Sequence, residues 1–142
     1  MSRAVKLLFI ESNEGGVINK SGSFKNSAFI NISEVITNER DAMDFIKGNP
    51  PYEAREIPEL IVLDSFTSDF KGLEILKQLK SNQQLRHIPV IVLSNSTDQK
   101  DIDLAYFNYA SCFISKPKSP KDYADVIKKI ELFWSRTAKL PY

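Results

Sequence analysis

Four polar residues stand where short apolar runs stop. Glu11 closes VKLLFIE, Asp64 closes LIVLD, Ser94 closes VIVLS, and Lys116 follows SCFIS. Two carboxylates held close together repel, and a divalent cation between them relieves that repulsion. A lysine adds positive charge on a mobile tether, and a hydroxyl with nearby backbone N–H groups binds anionic oxygens. Such a set suits phosphoryl transfer onto a carboxylate. Cation and lysine neutralise the incoming phosphoryl oxygens, and Asp64 attacks to give an acyl phosphate. Taken alone, an aspartate at a strand end is more often a turn former or a helix cap. The reading of Asp64 therefore depends on the other strand ends converging on it.

Convergence requires a scaffold, and the hydrophobic pattern supplies one. Val5–Glu11, Phe29–Val35, Leu60–Asp64, Val90–Ser94 and Ser111–Ser115 read as strands, of which Phe29–Val35 alternates most and is expected nearest an edge. Helical spacing separates them. Glu39–Lys47 turns Ala42, Met43, Phe45 and Ile46 inward, and Gly72–Lys80 turns Leu73, Ile75, Leu76 and Leu79 inward. Asp98–Tyr109 offers Ile102, Ala105 and Tyr106. Pro120–Thr137 offers Tyr123, Val126, Ile127, Ile130 and then Phe133 or Trp134, a pair that suits either the core or a homodimer contact. Ser119 is placed to cap the last helix with Pro120 at its first position, and Ser96 with Gln99 reads as a capping box for the helix before it. Residues Glu14–Lys25 are expected to be helical mainly because parallel strands need a crossover, since Gly15, Gly16 and Gly22 lower helix propensity. Strands alternating with helices predict an α/β protein with a parallel sheet covered on both faces, either half of a Rossmann fold or a flavodoxin-like fold. In both, chemistry gathers beyond the carboxyl ends of the strands.

Composition narrows the classes. The chain has 142 residues, 42% hydrophobic and 26% charged, with a formal net charge of +1. That fits one domain and gives no field to recruit nucleic acid or an anionic membrane. Cys112 is the single cysteine and His87 the single histidine, so neither an internal disulfide nor a zinc site can form. Cys112 is expected to pack as a small apolar side chain. His87 precedes the fourth strand, at the wrong end of the sheet for a phosphocarrier. The apolar stretch after Met1-Ser2-Arg3 is too short for a signal-peptide core, and no run reaches the roughly 18 apolar residues of a membrane span. A soluble, cytoplasmic protein is expected.

The stretches LLFIESN, ELIVLDSF, IPVIVLSNST and CFISKP resemble, in order and spacing, the motif blocks of CheY-like response-regulator receivers. PYEAREIPELIVLD, LRHIPVIVLS and FWSRTAKLP are similar to the single-domain subgroup that partners bacterial phytochromes and related histidine kinases. The resemblance implies a flavodoxin-like, doubly wound five-stranded parallel sheet of order 2-1-3-4-5 with helices on both faces. It also implies one receiver domain over 1–142, with a core of about 4–134 and a short extension at 135–142. By the same resemblance Asp64 matches the phosphoacceptor, Ser94 the switch hydroxyl, Phe113 the aromatic switch, and Lys116 the phosphoryl contact with a cis bond to Pro117. Glu11 and Asp64 match ligands of Mg2+, to which the residue at 66 contributes its backbone carbonyl. The implied partners are a histidine kinase or phosphotransfer protein and a downstream protein. No enzymatic activity beyond self-phosphorylation and self-dephosphorylation is implied.

The departures lie in the metal site. Ser12 stands where the family has a second acid and is a weaker ligand for a hard cation. Phe66, Ser68 and Lys71 replace the family's usual Asn, Pro and Asp. Two readings follow: a phosphoacceptor with weakened metal dependence, or a pseudo-receiver that signals by binding alone. Rivals fare worse. A flavin-type phosphate loop is poorly served by Ser12-Asn13-Glu14-Gly15-Gly16, where Glu14 repels phosphate. A carboxylate-nucleophile phosphatase wants an acid two residues beyond Asp64, where Phe66 sits.

Overall fold

Parallel strands can be buried on both faces only if helices cover both, and two segments carry the matching signature of unbroken burial. Every residue of Leu60–Asp64 and of Val90–Ser94 is buried. In the computed structural model, which describes residues 4–11, 28–64 and 71–141, these are the inner strands β3 and β4. β1 is Val5–Glu11, β2 Ile30–Ile36 and β5 Cys112–Ser115. All pairings are parallel and the sheet order is β2-β1-β3-β4-β5. The expected edge strand is an edge: β2 is buried only at Ile30 and Ile36, with Asn31 and Val35 exposed.

Four helices are described: α1 (Glu39–Lys47), α2 (Lys71–Ser81), α3 (Gln99–Phe107) and α4 (Pro120–Leu132), the last running into a π-helical turn at Phe133–Thr137. The helix expected at Glu14–Lys25 lies outside the described residues. On one sheet face Leu8, Ile10, Ile61, Leu63, Val90 and Val92 pack with the inward stripes of α1 and α2 and with Ala105 of α3. On the other, Leu7, Phe9, Leu60, Val62, Ile91 and Leu93 pack with Tyr123, Ile127 and Ile130 of α4. Successive strand residues go to opposite faces, so this division also assigns a face to each strand end.

The helix ends are set locally. Asn38 accepts the Asp41 N–H at 2.8 Å to start α1, and Gly48 stops it with φ 72°, a left-handed conformation that suits glycine. Ser119 accepts the Asp122 N–H with Pro120 next, as the sequence predicts. For α3 the prediction fails. Its N-cap is Asp98, which accepts the Lys100 N–H, while Ser96 accepts the Asp98 N–H in the loop before it. A carboxylate next to the helix start also meets the positive end of the helix dipole, which favours Asp98 as the cap. The buried stripe of α3 is rotated too. Asp101 and Ala105 are buried and Tyr106 is 48% exposed. The apolar residues of α3, Ile102, Leu104, Ala105, Tyr106 and Phe107, are spread around the helix and do not form one stripe, so packing against the sheet decides its rotation. Of the pair near the chain end, Trp134 packs against the α4-side core, whereas Phe133 is exposed.

Candidate functional site at the carboxyl ends of the strands

Register brings the two acids together. Glu11 is the partner of Asp64 across β1 and β3, the last pair of that ladder. Alternation places Glu11 with Leu7 and Phe9, and Asp64 with Leu60 and Val62, so both belong to the α4 face. Asp64 is wholly buried and Glu11 half-buried.

Lys116 reaches the same point from the other side of the sheet. Its backbone N–H donates to the Ser94 carbonyl at 2.7 Å, which continues the β4–β5 pairing one residue beyond Ser115. Its Nζ then ion-pairs with Asp64 Oδ1, with 4% and 0% of the two side chains exposed. Burial of a charge is sustained only when it is paired. The ion pair meets that condition for both groups.

Ser94 is fully buried, on the face that carries Val90 and Val92. Its hydroxyl accepts the Ser96 N–H at 3.0 Å, the Ser96 hydroxyl accepts the Asp98 N–H at 3.0 Å, and Asp98 caps α3. The hydroxyl is thus the first step of a hydrogen-bonded stair from β4 into α3. Phe113 lies on the same face as Ser94, half-buried against that core, and its backbone N–H donates to the Tyr106 hydroxyl at 3.1 Å. Ser12 and Phe66 lie outside the described residues. His87 is exposed in the turn before β4, at the amino end of the sheet.

One expected detail is overturned. Pro50–Pro51 is the cis peptide bond among the described residues, and Lys116–Pro117 is trans. The two isomers of an X–Pro bond differ by only about 1 kcal/mol, so the Lys-Pro dipeptide does not decide between them.

A residue read from the sequence as plain core also borders the site. Tyr123 packs its ring in the α4-side core, and burial, then the charges of Asp64 and Glu11, push its phenol well above the ordinary value. Strand alternation was the available signal, because it sends both acids to the face that α4 covers.

Among the described residues no cluster of three or more His, Cys, Asp or Glu could hold a metal. Mg2+ is nonetheless compatible with the donor set. It keeps several waters and takes one or two carboxylates, and Glu11 with Asp64 supplies two in register.

No family model matches the chain. It is 35% identical over 100 residues to response regulator Rcp1 of Synechocystis, covering 70% of this chain and 68% of that one. It is 28% identical over 128 residues to a probable methanogenesis regulatory protein, FilR2, of Methanothrix harundinacea, covering 90% and 82%. The fold superposes on the phosphorylated cyanobacterial phytochrome response regulator RcpA with a TM-score of 0.81 at 30% identity, covering 98% and 99%. It superposes on the Mn2+-bound form of Rcp1 with a TM-score of 0.78 at 29% identity, covering 97% and 99%.

Proposed function

The chain belongs to the response-regulator receiver family, and from that premise we propose that it accepts a phosphoryl group on Asp64 from a histidine kinase or phosphotransfer protein. The observation that carries this is the buried Asp64–Lys116 ion pair beside Glu11 at the carboxyl ends of the strands. A carboxylate oxygen of Asp64 attacks the phosphorus of a phosphohistidine. The N–P bond breaks, the imidazole leaves with its electron pair and takes a proton from solvent, and an acyl phosphate remains. Lys116 then moves its charge from the carboxylate to a phosphoryl oxygen. Glu11 and Asp64 would hold Mg2+, with the backbone carbonyl of Phe66 and a weak contact from Ser12 implied by the family pattern, and the ion would supply further neutralisation of the phosphoryl oxygens. Water reverses the modification, so the chain acts on itself and not on a separate substrate.

The signal leaves through Ser94. When its hydroxyl turns to the phosphoryl group it gives up the Ser96 N–H, and the stair to Asp98 loosens at its first step. Phe113, on the same face, moves inward as the loop shifts, and the surface of α3, β5 and α4 presents the change to a downstream protein. Two relatives support the reading: RcpA is known in a phosphorylated form and Rcp1 in a Mn2+-bound form.

Acetyl phosphate with Mg2+ tests it by intact mass. Wild type gains one phosphoryl group and Asp64→Asn gains none. A wild type that stays unlabelled where an ordinary receiver is labelled sinks the phosphoacceptor reading. The second reading, a phosphorylation-independent interaction module, is favoured by Ser12 in place of an acid and gains from that outcome.

A further inference from the structure

Ser94 and Ser115 are register partners where β4 and β5 end. Ser96 lies just beyond them, and their two side chains hold its backbone from both ends. The Ser94 hydroxyl accepts the Ser96 N–H at 3.0 Å, and the Ser115 hydroxyl donates to the Ser96 carbonyl at 3.0 Å. The Ser96 hydroxyl in turn accepts the Asp98 N–H at 3.0 Å. One loop residue is thus tied to β4, to β5 and to the start of α3. Ser115 also directly precedes Lys116, whose N–H donates to the Ser94 carbonyl and whose Nζ pairs with Asp64. Ser115 itself is exposed, so its side chain fills no core and alanine opens no cavity there. We propose that Ser115 is a positioning residue for the Ser94 switch: its hydroxyl latches the Ser96 carbonyl and holds the β4–α3 loop in the arrangement in which Ser94 faces Ser96 and not a phosphoryl group. When the Ser94 hydroxyl turns, the Ser96 N–H loses its acceptor, but the loop follows only if the Ser96 carbonyl leaves Ser115 too. A contact biases a two-state equilibrium by as much as it differs between the states, so the latch opposes the switch. The inference rests on the reading of Asp64 as phosphoacceptor and of Ser94 as the hydroxyl that turns to the phosphoryl group.

The test titrates beryllofluoride, a phosphoryl mimic that adds to a carboxylate, into the full chain with Mg2+. Binding is read by fluorine NMR for wild type, Ser115→Ala and Ser115→Thr, with thermal unfolding alongside. Ser115→Ala removes the hydroxyl, and Ser115→Thr keeps it on a β-branched side chain that suits a strand. Ser115→Ala is expected to bind beryllofluoride about fivefold more tightly, the weight of one net hydrogen bond, and Ser115→Thr to return to the wild-type affinity. A merely structural role would lower the unfolding temperature and leave the affinity unchanged or weaker. Unchanged or weaker binding in Ser115→Ala therefore overturns the proposal, as does a Ser115→Thr variant that behaves like Ser115→Ala. Wild type that binds no beryllofluoride and gains no phosphoryl group from acetyl phosphate overturns it together with the phosphoacceptor reading. Wild type that is labelled by acetyl phosphate, with equal beryllofluoride affinity in Ser115→Ala, keeps Asp64 as phosphoacceptor and removes the latch.

Discussion

Asp64 and Lys116 are each withdrawn from solvent and each needs the other. Lys116→Met leaves the Asp64 charge buried without its ammonium partner, and breaking a buried pair from one side costs about 3–5 kcal/mol. Urea unfolding is expected to show a loss of that order, partly recovered by adding Mg2+, which offers the carboxylates another cation. An unchanged midpoint would mean that the pair does not persist in solution. Cys112 carries a different residue-scale prediction. Burial pushes its thiol up, so less thiolate is present at any given pH. Its reaction with a disulfide reagent at mildly alkaline pH is expected to be slower in the folded protein than after denaturation. As pH rises through the ordinary thiol range the unfolded chain loses this proton first. The burial therefore works against the fold above that range and not below it.

At the scale of the element, helix starts obey short-range rules but not always the residue a motif suggests. Asn38 and Ser119 cap as their types predict. α3 instead uses Asp98, with Ser96 one step earlier in the stair from Ser94. Asp98→Ala is therefore expected to lower stability by about 1 kcal/mol, whereas Gln99→Ala, which a capping box at Ser96 would make costly, changes little. Chemical denaturation of the two variants distinguishes the alternatives. The stair also ties Ser94 to the start of α3, so Ser96→Ala is expected to alter the response of α3 to phosphorylation more than the phosphorylation itself, read by amide exchange across Gln99–Phe107.

For the whole molecule, the sheet order and the division into two cores decide which residues meet. Leu63 is wholly buried in the core that α1 and α2 cover, and Leu63→Ala is expected to cost about 2–5 kcal/mol by leaving a cavity, measured by urea unfolding. Much of this was legible in the residues. Unbroken apolar runs ending in Glu11, Asp64 and Ser94 can be satisfied only as covered parallel strands, so strand number, helix positions and the functional end of the sheet follow from local pattern and backbone hydrogen bonding. What local pattern does not contain is distance between segments remote in sequence. That Glu11 stands in register with Asp64, that Lys116 pairs with it, and that Tyr123 packs in the core on the same face were decided by strand order and by the packing of α4. The same holds for the trans Lys116–Pro117 bond and the rotation of α3. In each the local preference is weak, about 1 kcal/mol or less, and the larger free energy of burying the core makes the choice.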